Sequence, residues 1–313
     1  MRGKVNISFA LCTYGDSISL VLDCLESIFS DLEGMANIII VHEADNATFE
    51  KMQISISTFE RDILLIRQEG EGGLSRARNL ALEKCQTDWI AFLDDDATMI
   101  PGWHSAFRKG LEEFPDSAGF TGPILPSYAE GIRQYPKSME WLVSCNSRNL
   151  AKGPIRNGFG ANMVFNYRKI SEYDIVFRSE FGWVGGVSGN SISGEETIFS
   201  SELTEASGCE IIWLPNLSVY HKVPKSRTSI SYIWKRSFKE GKTKALLSRS
   251  KLNFSMGKER GHLFRIILVD LPLEAIKFPL MPISSVSNIV GTFLMLFGTL
   301  SGFFLYSLNP RVK

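Results

Sequence analysis

The sequence has no excess of charge of either sign: 34 Lys and Arg balance 34 Asp and Glu. A chain that binds nucleic acid through its phosphates needs a basic face, so the charge balance argues against that partner. Cysteine is scarce. Cys12, Cys24, Cys85, Cys145 and Cys209 are odd in number and carry no metal-like spacing. That excludes a disulfide framework or a thiolate zinc site, and points to a reducing compartment with thiols used in packing. Internal repeats and low-complexity stretches are missing. The basic start, residues 1–4, is followed by an apolar run too short for a secretory signal, which reads instead as the first strand. Long hydrophobic runs are also absent until the C-terminus. There, residues 284–308 carry no charged side chain across 25 positions, long enough to cross a bilayer.

What is present is organised around one stretch. Trp89, Ile90, Ala91, Phe92 and Leu93 read as a strand buried on both faces. Asp94, Asp95 and Asp96 follow where that strand must end. Ligands of open α/β sheets bind outside the carboxyl ends of the strands. Three carboxylates there repel one another unless a cation compensates them, and oxygen ligation suits Mg²⁺ or Mn²⁺. An Asp-rich turn that is merely solvated is the bland alternative.

Around this stretch, strands alternate with helices. Strands are predicted over residues 5–12, 37–41 and 63–67, with a turn over residues 13–16 and Asp16 or Ser17 capping the first helix. The flexible Gly72 and Gly73 precede a helix over 74–85. Such alternation predicts βαβ units and a mainly parallel sheet flanked by helices. Residues 126–154 read as irregular. Residues 181–194 hold five glycines and read as a mobile, site-gating loop. A basic amphipathic helix is predicted over 229–247, suited to a diphosphate, an acceptor or anionic lipid. With 313 residues the chain can bury a full core.

Several motifs occur together in order. They are Cys12, Thr13 and Tyr14 after the first strand; Gly73 through Asn79; Phe92 through Asp96; Gly160 through Met163; Gly194, Glu195, Glu196 and Thr197; and Val219, Tyr220, His221 and Lys222. This set resembles the family 2 glycosyltransferases of the GT-A fold, over about residues 5–241. The resemblance implies an inverting enzyme that moves a sugar from a nucleotide-diphosphate donor to an acceptor hydroxyl. It implies a divalent metal, Mg²⁺ or Mn²⁺, with Asp96 and His221 as ligands. Asp94 and Asp95 would hold the nucleoside end and the metal's waters, Thr13 and Tyr14 the base and ribose, and Arg78 the base and diphosphate. The family's Asp at the end of strand two is replaced here by the run from His42 to Asp45, where Glu43 or Asp45 could take its place. Glu196 matches the family's catalytic base and Glu195 its neighbour, which would position the acceptor. Two adjacent carboxylates would push one pKa upward and favour proton abstraction. Trp183, in the glycine-rich stretch, is a candidate for stacking on an acceptor sugar or for simple packing.

The expected organisation is a catalytic domain over 1–250 and a membrane-associated segment over 251–313. Within the latter, 262–283 would be an interfacial or first membrane helix and 284–308 a transmembrane helix. The catalytic domain would be cytoplasmic at the cell membrane, and the acceptor a lipid-linked or surface glycan. Two rivals remain: a catalytically inactive membrane-anchored scaffold that binds sugar nucleotides, and a nucleotidyltransferase, whose glycine-rich N-terminal loop is missing here.

Overall fold

The computed structural model describes residues 6–32, 36–70, 72–130, 134–179, 194–249 and 282–308, with a few isolated positions between 268 and 276. The predicted loop over 181–194, Trp183 included, and most of 262–283 lie outside the described residues.

The chain forms two compact units, Met1–Leu125 with Ser147–His221, and Pro126–Asn146 with Lys222–Lys313. The first is built on an eight-stranded sheet. Its strands are β1 (Ile7–Tyr14), β2 (Asn37–Glu43), β3 (Ile63–Arg67), β4 (Trp89–Asp94), β6 (Gly119–Thr121), β8 (Gly153–Ile155), β9 (Asn162–Asn166) and β10 (Ile211–Trp213), in the order β3-β2-β1-β4-β9-β6-β10-β8. The first four neighbours run parallel, β9 is antiparallel to β4 and β6, and β10 is parallel to β6. A short β5 (Ala97–Met99) pairs antiparallel with β11 (Val219–Val223), in a second sheet that β7 (Ile124–Tyr128) completes.

Helices follow the strands as the alternation predicts. In α1 (Ile18–Asp31), Val21, Cys24, Leu25 and Ile28 are buried, one stripe at helical spacing. In α4 (Trp103–Glu113), Trp103, Phe107 and Gly110 do the same. A Cβ on Gly110 would meet the Leu214 side chain at 2.5 Å, so the glycine lets Leu214 pack directly onto α4. α2 (Asn46–Ile56) starts earlier than its apolar spacing alone shows, because Asp45 caps it by accepting the Thr48 N–H at 2.7 Å. The predicted turn at Thr13 and Tyr14 is strand instead. The ladder continues through Thr13 opposite His42 and Tyr14 opposite Glu43, and Ser17 stands at the N-cap of α1 as expected, although its hydroxyl donates to the Tyr14 carbonyl rather than capping the helix.

The core is apolar and rich in phenylalanine. Trp89 through Leu93 are all buried, and each large side chain so placed contributes about 1.5–3 kcal/mol. Phe92, Phe165, Phe177 and Phe199 interlock, with Phe177 and Phe199 stacked at 4.0 Å between centroids. All five cysteines are free, and burial pushes the Cys12 thiol up to about 12, which suits packing rather than reactivity.

The second unit joins a 3₁₀ turn, Lys137–Val143, to two long helices, α7 (Ile230–Arg249) and α8 (Pro282–Ser307). The stretch read as irregular is therefore partly ordered. Tyr232 donates to the Leu142 carbonyl at 2.8 Å, and Thr292 approaches Met139 Sδ at 3.3 Å. α8 holds Asn288–Ser307, long and apolar enough by length and composition to cross a membrane.

Candidate active site

Three elements deliver the acids. β4 ends at Asp94, the turn to β5 carries Asp95 and Asp96, and β11 returns beside β5 with His221 opposite Ala97. The antiparallel pairing brings His221 Nε2 within 3.0 Å of Asp96 Oδ1, although the two are far apart in sequence. Ligand atoms of Asp94, Asp96 and His221 all lie within 4.8 Å of one another. The two carboxylates repel one another unless a cation joins them, and with the imidazole beside them the donor set fits a divalent ion that takes oxygen and nitrogen. Asp94 therefore sits with Asp96 and His221, a grouping that sequence position alone did not single out.

Asp95 turns elsewhere. Thr13 donates to its Oδ2 at 2.5 Å. Burial raises its carboxyl to about 6, opposed by the Thr13 hydrogen bond and reinforced by Asp96 and Asp94. Thr13 is buried, whereas Tyr14 is exposed and lines a cavity of about 520 Å³ at the carboxyl ends of β1, β2 and β3. Glu43, Asp45, Thr48, Arg67 and Gln68 share that lining, and the volume is that of a small-molecule site. His42 is not in the wall. It is fully buried, with Nε2 donating to the Gly15 carbonyl at 2.8 Å and its ring over Phe49, and so braces the turn after β1.

Glu43 accepts the Gly73 N–H at 2.9 Å. A Cβ on Gly72 would fall 1.9 Å from Glu43 Oε1, so the carboxylate lies directly on the glycine backbone. The extra methylene relative to aspartate gives the side chain this reach. It fastens the loop that begins α3 (Leu74–Lys84).

α3 buries a face of small residues, Ser75, Ala77 and Ala81, and among them Arg78, which is 2% exposed. Its guanidinium lies 5.3 Å from the Phe177 ring and 6.0 Å from that of Phe92. Nη1 donates to Glu195 Oε1 at 3.1 Å, and Nη2 is 3.8 Å from Asp94 Oδ1. Burial works against its charge, but Glu195 and Asp94 outweigh that and raise its pKa. Arg78 thus ties the acid cluster to the start of α6 (Glu195–Ser207). Glu195 is buried, and Glu196 half-buried. Asn79 holds Phe177, accepting its N–H and donating to its carbonyl, both at 2.8 Å. The sequence marked Asn79 only as the residue after Arg78, and its partner 98 positions away gave no local signal.

The glycosyl transferase family 2 model matches residues 8–173, more than half of the chain. The chain belongs to that family. Among family relatives, a glucosyl-dolichyl phosphate glucuronosyltransferase of Haloferax volcanii is 24% identical over 254 residues, 78% of this chain and 77% of that protein. The succinoglycan biosynthesis protein ExoM of Rhizobium meliloti is 29% identical over 182 residues, 57% of this chain and 54% of its own. The fold is shared with the mannosyltransferase PcManGT of Pyrobaculum calidifontis, solved with GDP-Man and Mn²⁺, at 13% identity and a TM-score of 0.58 over 97% of this chain and 86% of that one. It is shared too with residues 1–349 of S. aureus TarS, solved with UDP-GlcNAc, at 14% identity and a TM-score of 0.52 over 93% and 91%. The protein is thus a family 2 glycosyltransferase with the GT-A arrangement of a large, mainly parallel sheet.

Proposed function

We propose that this glycosyltransferase takes a nucleotide-diphosphate sugar as donor and transfers the sugar with inversion to a hydroxyl of a lipid-linked or surface glycan. The observation that carries the reading is the cluster of Asp94, Asp96 and His221, built from the carboxyl end of β4, the turn after it and the middle of β11. Thr13 and Tyr14 connect it to the cavity, one bound to Asp95 and the other in the cavity wall. The nucleoside would occupy that cavity, with Glu43 and Asp45 in reach of its hydroxyls or base. Asp94, Asp96 and His221 would hold Mg²⁺ or Mn²⁺ against the diphosphate; PcManGT, with the same fold, binds GDP-Man with Mn²⁺.

A divalent cation, when bound, neutralises charge on the departing diphosphate. The chain's own residues do the rest. Arg78, fixed and permanently charged, adds a positive charge beside Asp94 where negative charge develops. Glu196 accepts the acceptor's proton as the hydroxyl attacks opposite the leaving group. The pairing of Glu195 with Arg78 supports this division, because one oxygen of Glu195 is already taken by a guanidinium. Glu195 then positions the acceptor end of the site. The catalytic domain over 1–250 faces the cytoplasm, and the segment over 251–313 associates with the membrane. A lipid-linked acceptor is in keeping with the dolichyl phosphate substrate of the Haloferax relative.

A thermal-shift panel of UDP-, GDP- and dTDP-sugars with Mn²⁺ tests the donor. A ligand at 100 times its dissociation constant stabilises by about 2.7 kcal/mol. Stabilisation by a sugar nucleotide only when Mn²⁺ is present supports the reading, and metal-dependent release of the sugar separates an enzyme from a binding scaffold. No stabilisation by any of the panel sinks it.

A further inference from the structure

The expected transmembrane helix is not alone. α8 lies along α7, and the contacts show which way. Gly298 meets the backbone of Trp234 and Phe238 together with Ser237; Gly302 meets the Phe238 carbonyl and the Lys242 N; and Lys242 Nζ reaches the Tyr306 ring at 4.5 Å. Numbers rise together on both helices, so they run parallel. The fit is at backbone distance: a Cβ on Gly302 would sit 2.1 Å from the Phe238 carbonyl, and one on Gly241 would sit 2.0 Å from the Thr299 carbonyl. The same small-residue spacing brings membrane helices together.

The opposite side of α8 is exposed, and of its stripe Phe297 also reaches the Trp234 ring of α7, at 5.8 Å. Val290, Phe293, Phe297, Leu300, Phe304 and Leu308 recur every three or four residues, and all are exposed. They form one apolar stripe about 27 Å long. α7, by contrast, is charged along the length that α8 covers. Its own sequence there holds Lys235, Arg236, Lys239, Lys242 and Lys244 with one acid, Glu240, which pairs with Arg236 and Lys244.

These facts conflict with a crossing. If α8 spanned the bilayer, its parallel partner would span with it and carry six charged groups into hydrocarbon. The linking residues 250–281 would then have to cross back, taking Arg265, Asp270, Glu274 and Lys277 with them. We infer that α8 lies flat in one membrane face, its phenylalanine stripe among the acyl chains, with α7 clamped beside it at headgroup level. The occupant of the stripe is a bilayer of anionic phospholipid. Apolar contact supplies depth, and the basic groups of α7 outside the helix contact, the exposed Lys235 among them, supply charge complementarity. This deepens the membrane association proposed above and is independent of the transfer chemistry.

The full chain, expressed in cells, tests it through two substitutions, Asn288→Cys and Ser307→Cys, near the two ends of α8 and off its apolar stripe. Sealed membrane vesicles of both orientations are treated with a membrane-impermeant maleimide, and the labelled peptides are mapped against the parent protein. Labelling of both positions from one and the same face is expected; labelling from opposite faces means a span and overturns the inference. In flotation, the purified chain should rise with phosphatidylglycerol vesicles, and far less with phosphatidylcholine alone at raised salt. The Phe293→Asp, Leu300→Asp and Phe304→Asp triple variant should stay at the bottom with an unchanged melting temperature and unchanged donor binding. A folded triple variant that still floats, or a stripe that instead pairs two copies of the chain without vesicle binding, also refutes it. Loss of donor binding with flotation intact would fault the enzymatic reading and leave this one standing.

Discussion

Arg78 Nη1 donates to Glu195 Oε1 at 3.1 Å across 117 residues of sequence, with both side chains almost wholly buried. The pair makes the two adjacent glutamates chemically unlike. Glu195 is a counter-ion in a low-dielectric pocket, and Glu196, half-buried, begins the solvent-reachable side of the same helix. Glu195→Ala should therefore cost stability, about 3–5 kcal/mol, because it strips a buried cation of its nearest partner. Glu196→Gln should leave donor affinity and folding in place and slow turnover about 10²–10⁴-fold. Chemical denaturation alongside single-turnover rates reads both. If the losses are exchanged between the two positions, Glu195 is the base.

Asp96 faces His221 and Asp94 across a space that favours a cation. Asp96→Ala should still fold when metal is withheld, at a cost of about 1–3 kcal/mol, because the repulsion it relieves with Asp94 is offset by the buried His221 losing its carboxylate partner. It should lose all Mn²⁺-dependent donor binding, and the parent protein in a chelator should behave like the variant. Titration calorimetry with and without Mn²⁺ decides. Metal-dependent affinity that survives in Asp96→Ala would move the site elsewhere.

Asn79 is a positioning residue for the aromatic floor under Arg78. Its two hydrogen bonds to the Phe177 backbone hold that ring against Phe92, Phe199 and the guanidinium. Asn79→Ala leaves an N–H and a carbonyl unpaired, at a cost of about 1–3 kcal/mol. Asn79→Asp keeps an acceptor and restores the bond from the Phe177 N–H, and should recover part of that loss. Equal melting temperatures for all three proteins would show that the bonds do not matter.

Much of this fold was legible because its cues are local. The run from Trp89 to Asp96 announces a buried strand with acids at its end, and the apolar spacing of Val21, Leu25 and Ile28 announces a helix. What depends on distant pairing was not. The direction of β9 beside β4 follows from how the chain returns, and no property of its five residues sets it. The nearness of His221 to Asp96 depends on the register of β11 on β5. The role of Glu43 shows only once Gly72 and Gly73 lie against it. The tail of 25 uncharged residues showed its length and apolarity in the sequence, but not the parallel charged helix that lies beside it.

The contact of Glu43 with the glycine loop makes a quantitative prediction. A methyl group at position 72 would overlap the Glu43 carboxylate, so Gly72→Ala must push the side chain aside and break its bond to the Gly73 N–H. Glu43→Ala breaks the same bond by deletion. Either change frees the loop that begins α3, and with it the placement of Arg78, so each alone should weaken donor binding. Because both act through one contact, their effects should not add. With Glu43 already removed, Gly72→Ala has nothing to displace and should be nearly silent. The cycle should return a coupling of about 0.5–3 kcal/mol, the range for residues in direct contact. Donor affinities of the two single variants and the double variant supply it. Simple additivity within about 0.5 kcal/mol would mean that the loop is held by something other than Glu43.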